Sequence, residues 1–98
     1  MSSYDWSDEK NEWLKRERGL SFEDIIFHIA NDGLLDVIEH PKQGQYPGQR
    51  IFIVNVDGYV CLVPFVEDNE TIFLKTIIPS RKMTKRYLGE NKHETDEG

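Results

Sequence analysis

Between Ser21 and Ala30 the apolar residues Phe22, Ile25, Ile26, Ile29 and Ala30 recur at i, i+3, i+4, i+7 and i+8, the stripe of a helix buried along one face. Ser21-Phe22-Glu23-Asp24 stands in front of it as a capping box, with Asp in the place usually held by Glu or Gln. Asn31-Asp32-Gly33 closes it with three turn formers. The preceding helix is sparser in apolar residues. Ser7 is its candidate N-cap, Asp8 and Glu9 place negative charge in the first turn, and Gly19 stops it after Glu17 or Arg18. With mainly Trp13 and Leu14 to bury, this helix is expected to lie across a surface, pinned by its indole. Tyr4-Asp5-Trp6 reads as a short extended entry.

After Gly33 the period shortens to that of strands. Residues 34–38 predict one strand, and 39–49, with Pro41, Gly44, Pro47 and Gly48, a long loop. Residues 50–56 and 59–66 flank Asp57-Gly58, a pair that accepts the positive φ values of a two-residue hairpin turn. Residues 71–78 predict a further strand ended by Pro79-Ser80. Pro64 offers no N–H, so its strand is expected to be bulged there or to turn that side outward.

These elements describe an α+β fold: two N-terminal helices packed on a small antiparallel sheet of three to five strands, followed by a short C-terminal helix. The strands are apolar on both faces, Ile51 and Ile53 opposing Phe52 and Val54 in one, and Cys61, Val63 and Phe65 opposing Val60, Leu62 and Val66 in the next. Two helices cover one face. The other calls for a terminal helix, a second copy in a homodimer, or a protein partner.

Ninety-eight residues suit one core, which assigns 1–90 to a single domain and 91–98 to a flexible acidic tail. No apolar run reaches the roughly 18 residues that span a bilayer, and the N-terminus lacks a basic-then-apolar leader, so the chain reads as cytoplasmic and off the membrane. Its single cysteine, Cys61, lies within an apolar run and reads as a small buried hydrophobe.

Charge changes the picture at one place. The chain carries a net charge of −6, which argues against a non-specific nucleic-acid coat protein. Yet Lys75, Arg81, Lys82, Lys85, Arg86 and Lys92 face a single acid, Glu90, between 75 and 92. Arg81 and Lys85, with Lys82 and Arg86, fall within one or two turns of a short helix capped by Ser80, the placement a phosphate-contacting surface needs. Arg50 opens the first hairpin strand, and in a simple meander it lies at the other end of the sheet from Arg81. The mixed charges of the first helix, Lys10, Lys15, Arg16 and Arg18 among acids, read as a solvated surface. His28, His40 and His93 have no metal-ligand spacing. Of the three, only His40 sits in a plausible cleft-lining loop.

Taken in order, Tyr4-Asp5-Trp6-Ser7-Asp8-Glu9-Lys10, Gly19-Leu20-Ser21-Phe22-Glu23-Asp24, the strand-start Arg50, the hairpin, and Ile77-Ile78-Pro79-Ser80-Arg81-Lys82-Met83-Thr84-Lys85-Arg86-Tyr87 resemble the BrnT-type toxins of bacterial type II toxin–antitoxin systems, within the RelE-like ribonuclease fold. The resemblance covers 4–88. It implies a metal-independent endoribonuclease without a cofactor, a cognate antitoxin that neutralises it, mRNA as substrate, and contact with operator DNA only through the antitoxin. It maps the family's basic end onto Arg81, Lys82, Lys85 and Arg86 and its strand-start arginine onto Arg50; Arg81, Lys85 and Arg50 are expected to serve catalysis, and Lys82, Arg86 and Tyr87 RNA binding. Glu17-Arg18-Gly19 stands where the family commonly has Lys-His-Gly, so no imidazole role is carried over there. By chemistry alone, Tyr87 and His40 are the candidate general bases. The alternatives are a non-catalytic interaction module and a degenerate toxin that serves as co-repressor.

Overall fold

The computed structural model describes residues 3–89; the tail 91–98, with Lys92 and His93, lies outside the described residues. Strand β1 (Ser3–Trp6) leads into helix α1 (Asp8–Arg18) and helix α2 (Phe22–Ala30). Strands β2 (Leu34–Glu39), β3 (Arg50–Val56), β4 (Tyr59–Asp68), β5 (Thr71–Leu74) and β6 (Ile78–Pro79) follow, and α3 (Arg81–Thr84) continues as a wider π-turn over Lys85–Gly89. The architecture is the expected α+β arrangement.

Both N-terminal helices start and stop where the sequence places them. Ser7 Oγ accepts from Lys10 N, Gly19 takes φ 67°, and Ser21 Oγ accepts from Asp24 N. The anchor of α1 differs from expectation: Leu14 is fully buried, whereas Trp13 is only half-buried. Beside Leu14, the buried Asn11 accepts from Phe22 N at 2.8 Å and donates to Glu23 Oε1 at 2.9 Å, joining the two helices. That hydrogen bond holds the Glu23 carboxyl below its ordinary pKa.

The sheet order is β1-β5-β4-β3-β2, with β6 pairing the first half of β4. All pairs are antiparallel except β1 with β5, so the extended entry segment adds a parallel edge strand to the antiparallel sheet. Residues 71–78 do not form one strand. Pro64 is the reason: Lys75 N donates to Pro64 O at 2.8 Å, so the side of Pro64 that lacks a donor faces this neighbour. The ladder lapses over 75–77 and resumes at Ile78.

One sheet face, with Phe52, Val54, Cys61, Val63 and Phe65, meets Leu14, Phe22 and Ile25 of the helices. The opposite face, around Ile51, Ile53 and Val60, is covered by Met83, Tyr87 and Leu88. Of the three covers the sequence left open, the terminal helix is therefore the one used.

Every edge of the sheet is partly occupied by the chain's own groups. Trp6 N donates to Asp5 Oδ1 on the outer side of β1, and Val37 N donates to Asp36 Oδ1 on the outer side of β2, each at 2.8 Å. At β6, Pro79 has no donor and Arg18 donates to the Ile77 carbonyl. Such blunting disfavours strand addition by another chain.

His28 ties α2 to the β3–β4 turn. Its Nδ1 lies 2.8 Å from Asp24 O and its Nε2 3.4 Å from the carboxylate of Asp57, a residue with φ 55°. The Asp24 carbonyl, then Asp57, raise the His28 pKa, because a doubly donating imidazolium satisfies both oxygens. A raised folded-state pKa gives stability that is complete below the ordinary value near 6.5 and is lost as pH rises through the folded value. The difference in melting temperature between the wild type and His28→Gln should therefore be larger at about pH 5.5 than at about pH 8.5; an equal difference would show that this contact does not titrate with folding.

Candidate nucleic-acid interface

The terminal helix is built by its cap and its inward face. Ser80 Oγ accepts from Met83 N, Thr84 Oγ1 donates to Ser80 O at 2.7 Å, and Val60 N donates to Thr84 Oγ1 at 2.8 Å. Ser80 N also donates to Val60 O, continuing β6 directly into the helix. Positions 83, 84, 87 and 88 are thereby turned toward the sheet. Arg81, Lys82, Lys85 and Arg86 occupy the remaining positions, and all four are exposed. They form i, i+1, i+4, i+5 neighbours on one outward arc. Among the described residues, none of the four has a carboxylate within the 4.0 Å of an ion pair. The cations thus share one surface and, among the described residues, are not paired with the chain's acids.

Arg50 is not part of that surface. It pairs with Glu67 and lies with Cζ 5.1 Å from the Phe65 ring centroid. In register, Arg50 opposes Phe65 whereas Asn55 opposes Val60, the residue that receives Ser80. Five residues of strand separate them, about 17 Å. Lys75 stands beside the gap between β5 and β6, with Nζ 5.5 Å from the Phe73 ring centroid.

Tyr87 faces inward from the cations. Its ring packs on the Ile51, Ile53 and Val60 cluster and its hydroxyl donates to Asp36 Oδ2 at 3.0 Å. Desolvation, then the Asp36 contact, raise the phenol pKa, so the group is held protonated and fixes the helix over β2. His40 is likewise engaged: Lys42 N donates to its Nδ1 at 3.1 Å, leaving the neutral ring's proton on Nε2. The ring lies 4.4 Å from that of Tyr46, centroid to centroid. The long loop around it is ordered by Gln43, whose Nε2 donates to the carbonyls of His40 and Gln49, each at 2.9 Å. The Cys61 thiol is buried and desolvation pushes its pKa up to about 11, so it supplies no thiolate at neutral pH.

Among the described residues no group of three or more His, Cys, Asp or Glu side chains is arranged to hold a metal ion. None of their helices is long and apolar enough to cross a membrane. Two features were not legible in the sequence. Asp36, which receives Tyr87 from 51 positions away, carried no local signal. Lys10, Trp13 and Arg18 form a cation–aromatic cluster on α1, with Lys10 Nζ 4.5 Å and Arg18 Cζ 5.1 Å from the indole centroid. The i, i+3 spacing of Lys10 and Trp13 was its only available sign.

Compared with protein-family models, with curated proteins and with solved structures, the chain matches none.

Proposed function

We propose that this chain is an endoribonuclease toxin of a type II toxin–antitoxin pair that holds RNA phosphodiesters on the outward arc of its terminal helix. The observation that carries the reading is the gathering of Arg81, Lys82, Lys85 and Arg86 on one exposed surface without carboxylate partners among the described residues. Support also comes from the motif order over 4–88 that resembles BrnT-type toxins. The cognate antitoxin, mRNA and operator DNA reached through the antitoxin are the partners this reading implies.

In the proposed chemistry the substrate's 2′-hydroxyl attacks the adjacent phosphorus, the bond to the 5′-oxygen breaks, and a cyclic phosphate and a 5′-hydroxyl result. Arg81 and Lys85, one helical turn apart, stabilise the charge gathering on the phosphoryl oxygens in the transition state. Lys82 and Arg86 bind flanking phosphates. Arg50, engaged with Glu67 at the far end of the sheet, serves at most a distant phosphate.

One observation favours a second reading, a non-catalytic partner that binds through the same surface or acts as co-repressor with an antitoxin. Both candidate bases are engaged, Tyr87 with Asp36 and His40 with Lys42. Expression of the chain alone decides between them. The ribonuclease reading expects growth arrest and cleaved RNA from the wild type, both abolished by Arg81→Ala with Lys85→Ala. Folded wild-type protein that neither arrests growth nor cleaves RNA overturns the ribonuclease reading and supports the binding role instead.

A further inference from the structure

A shallow depression of about 340 Å³ opens at the start of α1, lined by Ser7, Glu9, Lys10 and Trp13. The indole packs by one part against the core and contributes another to this wall. It is flanked by two cations, the Lys10 ammonium and the Arg18 guanidinium. The guanidinium of Arg18 also reaches the carbonyl of Ile77, four residues before Arg81. The depression and the basic arc therefore lie near the same sheet edge, that of β6, with α1 on one face and α3 on the other.

We infer that Trp13 is a stacking platform for an unpaired base of single-stranded RNA whose phosphates pass round the β6 edge toward Arg81. The inference rests on the RNA-binding reading of the terminal helix and adds to it a substrate class, the single strand. An aromatic wall between two cations fits a flat π-system that carries negative charge beside it, as a nucleotide does. Lys10 and Trp13 are both half-buried, and a stacking base competes with the ammonium for the same ring. An incoming base displaces the ammonium from the ring toward solvent. Glu9 on the rim disfavours a bare anion and accepts a hydrogen bond from a base N–H. A duplex cannot use the site, because its base faces are covered by their neighbours.

The test uses the full chain with Trp6→Phe, which leaves Trp13 as the one indole of the two in the sequence. The probes are single-stranded oligoadenylate and its duplex with oligouridylate. Trp13 emission should be quenched saturably by the single strand, in step with binding followed by anisotropy, and little by the duplex. Trp13→Leu should bind the single strand roughly tenfold to a hundredfold more weakly, and Trp13→Tyr within a few-fold of the parent. If the leucine variant does not fold, the emission titration decides alone. Oligoadenylate binding that leaves Trp13 emission unchanged overturns the platform while the RNA reading of the basic helix stands. No binding by the folded parent overturns that reading and the platform together.

Discussion

Affinity for single-stranded RNA should fall roughly fiftyfold between about 50 and 200 mM salt. The number follows from counterion release: each neutralised phosphate contributes about −0.7 to the slope of log K against log salt for single strands, so contacts to Arg81, Lys82, Lys85 and Arg86 together give about −2.8. A fourfold rise in salt raised to that power is a factor near fifty. Arg81→Ala with Lys85→Ala removes two contacts, halving the slope to about −1.4 and reducing the loss to roughly sevenfold. The chain's net charge of −6 makes this a demanding test, because diffuse attraction to the molecule as a whole is absent. Anisotropy of a labelled oligonucleotide across a salt series measures it. A slope near zero would show that the four cations do not meet phosphates.

Phe65→Ala should lower the unfolding free energy by about 3–5 kcal/mol. Phe65 is 2% exposed and stacks on Phe52 with centroids 4.0 Å apart and planes 9° apart. Removing the ring costs the transfer of its area from water and leaves a cavity that the neighbouring strand cannot close, since Phe52 is fixed by register opposite Val63. The loss also reaches the Arg50 side chain, whose guanidinium rests over the Phe65 ring. For a domain of ordinary stability, about 5–15 kcal/mol in total, such a loss leaves little margin. Urea unfolding followed by far-ultraviolet circular dichroism gives the value. A loss under about 1 kcal/mol would mean that the site refills, and that this layer of the core is more compliant than its stacking implies.

The two surfaces of interest differ in how much of them could be read from residues. The basic arc was legible because its parts are local, Ser80 capping and the cations recurring one turn apart, whereas Tyr87, expected to face RNA, turns inward with Met83 and Leu88. The Trp13 site was not, because Arg18 reaches Ile77 across 59 positions and nothing near Arg18 announces it. Arg50 shows the limit from the other side. Its place at the start of β3 was plain, but its pairing with Glu67 depends on how far β4 runs past it.

Gly33 marks the same boundary. Asn31-Asp32-Gly33 declares a turn by composition, yet the need for glycine arises from crowding. A Cβ at Gly33 would stand 2.6 Å from His28 O and 2.9 Å from Asn55 O, where α2 and β3 close on it.

Short-range rules acting along the chain sufficed for the helices, their caps, the Asp57-Gly58 hairpin and the outward basic arc, because periodicity, capping and turn preference are satisfied within a few residues. Tertiary structure alone decided which element covers the second sheet face, which neighbouring strand is interrupted at Pro64, how Asp36 holds Tyr87, and that Arg50 pairs with Glu67. Each of those outcomes requires distant segments to meet, and their register is set by packing the whole core at once.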